Sequence, residues 1–190
     1  MTATWFVADL HLGHEKVALL RGFGNQDYHD AALVKQWNKQ VSFGDIVYVL
    51  GDISGGSRRG ESYALEVLSH LPGRKRLISG NHDSVSSIHR TLSPHISRFN
   101  DVFERVSDFG RVKIDGRYAL MSHYPYSQDH EREARFMQFR LPDLGALLIH
   151  GHTHSDVRFQ GREACVSWEA WGRLVGTGDL LPWLREVREP

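Results

Sequence analysis

A single cysteine, Cys165, is the only thiol in the chain. An internal disulfide is excluded, and so is a thiolate zinc cluster, which needs several cysteines at set spacings. Cys165 sits between Ala164 and Val166 and reads as an inert buried thiol rather than a nucleophile. Neither sign of charge is in excess, since 23 Lys and Arg balance 23 Asp and Glu. No global field therefore argues for nucleic acid or a membrane surface as partner. No apolar run would span a bilayer, and no N-terminal stretch has the basic start and apolar core of a signal peptide. The expectation is a cytoplasmic protein in a reducing compartment, with no membrane attachment and no obligate protein or nucleic-acid partner. Internal repeats, low-complexity tracts and linker-like compositions are also missing. One domain over 1–190 is expected, long enough to bury a sizeable core.

Histidine is plentiful: twelve in all, several beside Gly and Asp rather than on apolar helix faces, a placement that leans toward metal chemistry. The positions become informative once the strands are placed. Thr4 to Ala8 is a short apolar run that reads as a buried strand, and it ends in Asp9-Leu10-His11-Leu12-Gly13-His14. If the segment stays extended, Asp9 and His11 point the same way and can address one cation. His14 reads as a lining or loop residue. Residues 15 to 24 form a weak helix broken by Gly22 and Gly24, and Asp27 or Asp30 is expected to cap the next helix, with Trp37 in the core. Asp45 to Leu50 is a second strand ending in Gly51-Asp52-Ile53-Ser54. The loop after it carries Arg58 and Arg59, which read as solvated first and as candidate anion contacts second. Glu61 to Leu71 reads as a helix stopped by Pro72-Gly73. A third strand, Arg76 to Ser79, then ends in Gly80-Asn81-His82-Asp83.

This alternation of strand and helix predicts a parallel sheet with crossover helices, its polar residues at the strands' C-terminal ends, where ligand sites sit in open α/β sheets. The second half reads differently. Val102 to Val106 and Arg111 to Ile114 look like half-buried strands, and Asp115-Gly116 signals a hairpin. Tyr118 to Met121 returns and ends in Ser122-His123. Residues 126 to 140 read as a surface excursion with a short helix, with Arg132, Arg135 and Arg140 solvated. Leu144 to Ile149 is an apolar strand ending in His150-Gly151-His152-Thr153-His154. Ala164 to Trp168, with the segment to Trp171, reads as a late strand, and Asp179 caps a final helix carrying Trp183 and Leu184.

Each polar strand end has a dull explanation as a cap or turn. Five in one chain are harder to dismiss, because an unsatisfied carboxylate or imidazole at a buried sheet costs free energy. Seven donors exceed what one ion usually takes from a protein but suit two ions with room for water. Mixed carboxylate and imidazole donors suit manganese, iron, zinc, nickel or cobalt better than calcium.

Taken in order, Asp9-x-His11, Gly51-Asp52, Gly80-Asn81-His82-Asp83, His123 and Gly151-His152-x-His154 resemble the complete signature of the calcineurin-like metallophosphoesterase family. The signature spans residues 9 to 154, and the later Val166-Ser167-x-x-Ala170-Trp171 resembles more loosely the small bacterial and phage-type phosphodiesterase branch. The resemblance implies an α/β fold of two packed mixed β-sheets flanked by helices. It implies two divalent metal ions, manganese first among the choices. Asp9, His11 and His154 would hold one ion, Asn81, His123 and His152 the other, and Asp52 would bridge them. The pair would present a shared hydroxide to phosphorus. His82 would be the general acid for the leaving oxygen, with Asp83 orienting its ring. Phosphoprotein phosphatases of this family carry Asp-Arg soon after Gly-Asp, and Glu after Asn-His. Here Ile53-Ser54-Gly55-Gly56 and Asp83 stand instead, so a small nucleotide-like phosphodiester, with cyclic nucleotides in that class, is the expected substrate. A phosphomonoesterase on the same site is the alternative, and a non-catalytic scaffold of the same fold is the third reading.

Overall fold

The computed structural model describes residues 2–89, 96–129 and 133–187. In chain order the strands and helices are β1 (Thr4–Val7), α1 (Glu15–Leu20), α2 (Gln26–Gln40), β2 (Ile46–Val49), α3 (Arg58–His70) and β3 (Arg74–Ile78). Then come α4 (Ile96–Asn100), β4 (Arg105–Ser107), β5 (Phe109–Ile114), β6 (Arg117–Ser122) and a 3-10 turn at Met137–Phe139. The chain finishes with β7 (Leu147–His150), β8 (Phe159–Gln160), β9 (Glu163–Cys165), α5 (Trp168–Trp171), β10 (Val175–Gly176) and α6 (Thr177–Glu186).

Among the described residues these strands make two five-stranded mixed sheets, ordered β10-β1-β2-β3-β4 and β5-β6-β7-β9-β8. The first is parallel from β1 to β4, with β10 antiparallel at its edge. The second pairs β6, β7 and β9 in parallel, with antiparallel β5 and β8 outside. The expected pair of mixed sheets with flanking helices is thus present.

Side-chain alternation along the strands explains the layering. Val7, Val47, Val49 and Leu77 face one way, into a core with Leu33 and Trp37 of α2 and Leu65 and Leu68 of α3. Their neighbours Phe6, Leu50 and Ile78 face the other way, against Ala119, Met121 and Ile149 of the second sheet. The centre of the first sheet is therefore buried on both faces, which is why β1 and β2 are mostly apolar, whereas β3 and β4 begin on basic residues, Arg74 to Arg76 and Arg105. No helix among the described residues is long and apolar enough to cross a membrane.

Several local expectations are corrected. The cap of α2 is Asn25, whose side chain accepts the Tyr28 N–H, rather than Asp27 or Asp30. α3 begins at Arg58, because the Ser57 hydroxyl caps it through the Gly60 N–H. β4 starts only at Arg105, since Val102 and Phe103 close the turn after α4 by bonding to the Phe99 carbonyl. Trp168–Trp171 is a helical turn, not strand. Gly172 ends it in the left-handed conformation, and the Trp171 indole N–H bonds back to the Cys165 carbonyl.

Candidate metal centre

The loops after β1 and β2 run side by side beyond the sheet. Asp9 N–H bonds to the Gly51 carbonyl (3.1 Å), His11 N–H to Asp52 (3.0 Å) and Leu12 N–H to Ile53 (2.9 Å). The segment Asp9 to His11 is not extended, as simple alternation would have it. Asp9, His11, Asp52, His152 and His154 all have positive φ, between 48° and 70°. Non-glycine residues rarely hold that conformation; each costs of order 1–3 kcal/mol and persists only where its surroundings impose it. Here they do. Two glycines allow the loops to close in: a Cβ on Gly51 would lie 2.6 Å from the Gly80 nitrogen, and one on Gly151 would lie 2.5 Å from Ala8 Cβ and 2.7 Å from an Asp9 oxygen.

The result brings all seven candidate ligands together, and the tautomers can be assigned from their partners. His11 donates Nδ1–H to the Ser54 carbonyl (3.1 Å), so its Nε2 carries a lone pair. His154 donates Nδ1–H to Glu169 (2.7 Å), leaving a lone pair at its Nε2. These two Nε2 atoms face one another at 3.2 Å. His123 donates Nδ1–H to the Leu50 carbonyl (2.8 Å), and His152 donates Nε2–H to Asp129 (3.2 Å). Their remaining nitrogens face one another at 3.3 Å, and the Asn81 side-chain oxygen lies 3.2 Å from His123 Nε2. Opposed lone pairs repel unless a cation or a proton lies between them. The Oδ2 atom of Asp52 reaches both groups, 4.0 Å from His11 Nε2 and 3.5 Å from His123 Nε2. Asp9 belongs to both carboxylate–imidazole clusters, one with His11 and His154 and one with Asp52 and His123.

Burial sets the protonation. It pushes His11 and His152 down to about 3, so both rings stay neutral, the state a metal ligand would need. Burial alone would raise Asp52, but His123, with His11 and His82, holds the carboxyl below its ordinary value. Burial alone would lower His123, but Asp52 and Asp9 outweigh it and raise the ring to about 9, so without metal its Nε2 also carries a proton. For Asp9 burial prevails and raises the carboxyl.

A surrounding layer of charge fixes these ligands, and sequence reasoning missed most of it. Glu169 Oε1 accepts His154 Nδ1–H and also Arg21 Nε (2.9 Å) and Nη2 (2.7 Å). Arg21 continues to the Asp9 carbonyl (2.6 Å), the Leu10 carbonyl (3.2 Å) and His29 Nε2 (2.8 Å). On the other side Asp129 bonds His152 and is paired with Arg140 (2.9 Å). The expectation of a solvated Arg140 is therefore wrong. The residue is buried, and it also bonds the carbonyls of Pro125, Gln128 and Arg135. Arg135 is half-exposed and also pairs with Asp129 (3.3 Å), while Arg132 lies outside the described residues. The only sequence sign of this layer was indirect. Arg21 follows the weak helix, and Glu169 is a charge inside the apolar Val166–Trp171 stretch.

His82 stands apart from the ligands. Its ring is 43% exposed, and its Nε2 lies 4.0 Å from Asp52 Oδ2. Its backbone N–H is fixed by Asp52 Oδ1 (2.8 Å). The expectation that Asp83 orients the His82 ring meets a different geometry. The buried Asp83 carboxylate accepts the backbone N–H groups of Asp52 (3.0 Å), Ile53 (3.1 Å) and Gly80 (2.8 Å). It ties two loops together and lies beneath the site. Burial, with Asp52 nearby, raises it to about 7. Above the centre lies an open cleft of about 490 Å³, with His14, His82, Asn81 and Asp52 among its lining residues; Arg58 and Arg59 are not.

Comparison with known proteins agrees with this geometry. The family model described as the calcineurin-like phosphoesterase superfamily domain matches residues 5–168. The chain belongs to this superfamily. The "Gene 66 protein" of Mycobacterium phage L5 is 40% identical over all of this chain and 97% of its own length. The protein of the same description from Mycobacterium phage D29 is also 40% identical, over all of this chain and 99% of its own. The solved structure of AQ665 from Aquifex aeolicus, described as a protein of unknown function, superposes with a TM-score of 0.72 at 22% identity. That match covers 96% of this chain and 100% of the other, and it supports the fold. Calcineurin-like phosphoesterases are metal-dependent hydrolases of phosphoesters, and Asp9, His11, Asp52 and His123 are this member's candidate metal-binding residues.

Proposed function

We propose that the chain is a binuclear metal-dependent phosphodiesterase acting on small, nucleotide-sized diesters. The observation that carries the reading is the pair of opposed imidazole contacts at 3.2 and 3.3 Å, with Asp52 Oδ2 reaching both. Asp9, His11 and His154 would hold one divalent ion, Asn81, His123 and His152 the other, and Asp52 both. Nitrogen and oxygen donors in this mixture suit manganese, our choice, ahead of iron, zinc, nickel or cobalt. When bound, such ions supply Lewis-acid activation of water and neutralise charge on a phosphoryl group.

The protein's own groups do the rest. Glu169 and Asp129 hold His154 and His152 in the tautomers that aim bare nitrogens into the site. His82, exposed to the cleft and outside both donor groups, is positioned to deliver a proton to the departing oxygen. Asp83 serves by fixing the loop that carries Asp52.

The deciding experiment is turnover by manganese-reconstituted protein of an aryl monoester, an aryl diester and cyclic nucleotides. Diester hydrolysis that chelation abolishes is the expected result. Preference for the monoester would replace the phosphodiesterase reading, and no turnover with any of the metals would favour a scaffold. In the same assay His82→Ala retains metal but loses activity, about 10²–10⁴-fold on alkyl esters and less on phenolic ones. Equal losses across the series would remove His82 from the acid role.

A further inference from the structure

The cleft continues from the donor cluster onto α1, and that wall is unlike the rest. Lys16, Val17 and Leu20 line the same cavity as Asp52 and His82. They share one face of the helix through i, i+3 and i, i+4 spacing. The helix is anchored by buried Ala18, whereas Leu20 is 76% exposed to the cleft. Leu20 and the half-buried Val17 thus set an apolar surface beside a charged centre. The wall is not loose, for the next residue, Arg21, is clamped to Glu169 and to the Asp9 carbonyl. Its position relative to the donors is therefore set by the same guanidinium that braces His154.

We infer that the α1 face of Val17 and Leu20 is the subsite for the organic group of the substrate, and that this group is ring-bearing and of nucleoside size. This rests on the phosphodiesterase reading above and deepens it. A cavity of about 490 Å³ lies within the range that holds a nucleotide. An apolar surface beside a polar reaction centre suits a molecule with a phosphoryl group at one end and a flat, weakly polar ring at the other. Lys16 on the same face places positive charge along the cleft, which suits an anionic diester. A methyl or other short alkyl group would leave the α1 wall wet and gain nothing from it. The wall therefore discriminates between diesters that present identical chemistry at phosphorus.

Two p-nitrophenyl diesters test this, because both release the same nitrophenolate: methyl p-nitrophenyl phosphate and thymidine 5′-(p-nitrophenyl phosphate). The protein is the full chain reconstituted with manganese. Wild type is expected to favour the thymidine ester in kcat/KM. Leu20→Asn reduces that preference about tenfold, chiefly through KM, because it removes apolar contact with the ring. Turnover of the methyl ester is retained and shows that the variant is folded and metal-loaded. Leu19→Asn, on the same helix but outside the cavity lining, keeps the wild-type ratio. Turnover of both esters with a ratio that Leu20→Asn leaves unchanged overturns the subsite alone. The same holds if wild type does not distinguish the two esters. No metal-dependent turnover of either ester overturns the phosphodiesterase reading, and the subsite falls with it.

Discussion

Replacing Glu169 separates the support of the metal centre from its ligands. Its Oε1 accepts three N–H groups, one from His154 at 2.7 Å and two from Arg21 at 2.9 and 2.7 Å. Glutamine keeps the shape and one acceptor oxygen but removes the charge. Supporting partners of this kind are worth about 10–100-fold in metal affinity, and the retained acceptor puts Glu169→Gln at the low end, about tenfold or about 1.4 kcal/mol. Alanine removes all three acceptor contacts and strands Arg21, whose side chain is only 5% exposed. Breaking a buried pair this way costs about 3–5 kcal/mol of folding stability. The assay is calorimetric titration of manganese into metal-stripped protein, with nitrogen-15 spectra of the imidazoles. One binding event is expected to weaken in Glu169→Gln, with the His154 proton no longer confined to Nδ1. Wild-type affinity for both ions would refute the reasoning, as would equal weakening of both. A pH experiment checks the same contact. Burial alone would raise Glu169, but the bond to His154 and the Arg21 charge hold it down to about 2, from an ordinary 4.5. Its contribution to stability is therefore complete above pH 4.5 and lost as pH falls toward about 2. The stability gap between metal-free wild type and Glu169→Gln should close across that window.

Three further outcomes follow from the same geometry. Asp52→Ala should abolish binding of both ions, because its Oδ2 reaches both donor groups; retention of either ion at wild-type affinity contradicts the shared role. Asp83→Asn should lower the thermal midpoint rather than change leaving-group dependence. One of its two oxygens becomes an amide that cannot accept, leaving a buried N–H unsatisfied at a cost of about 1–3 kcal/mol. A normal midpoint with a His82-like kinetic defect would restore Asp83 as the orienter of His82. Gly51→Ala should cost more than about 2 kcal/mol, measured by urea unfolding of metal-free protein. Its φ is +85°, and the added carbon would meet the Gly80 backbone at 2.6 Å, so a near-neutral result would show that the loop can give way.

The strands were legible because the centre of the first sheet is buried on both faces. Phe6-Val7, Val47 to Leu50 and Leu77-Ile78 must be apolar whichever way they point. Their ends were legible for the converse reason. Asp, Asn and His at the rim of an apolar sheet need a partner, so residue type alone marked them. The supporting layer was harder to see. Arg21 and Glu169 are 148 positions apart, and nothing local marks either as a partner of His154. Arg140 was misread because a run rich in Arg and Glu reads as solvated. Its burial depends on one carboxylate, Asp129, and three carbonyls brought around it by the fold. Trp168 to Trp171 was misread because aromatic residues suit strands, and the helical turn is decided by Gly172 and an indole bond to Cys165.

Backbone conformation is where residue types misled most usefully. An Asp and a His two apart suggested side chains sharing one side of an extended segment. In the structure Asp9, His11, His152 and His154 hold left-handed backbone instead. The difference matters chemically. An extended Asp-x-His would continue the strand and aim both groups across the face that Val7 shares, where α2 and α3 pack. Left-handed residues turn the chain at the rim, and the carbonyls freed by that turn become acceptors. Arg21 takes those of Asp9 and Leu10, and the Ser54 carbonyl of the neighbouring loop fixes His11. The strain is thus imposed by the contacts that set the ligand tautomers, and it cannot relax without releasing them. Removing metal should therefore leave the loops in place, because their hydrogen bonds run to protein groups. Replacing Arg21 should disorder the ligand loops even with metal supplied. Hydrogen exchange at the Leu10 to Leu12 amides distinguishes the two. Protection that survives chelation but is lost in Arg21→Ala is the expected pattern, and loss on chelation alone would mean that the ions, not the guanidinium, hold the backbone.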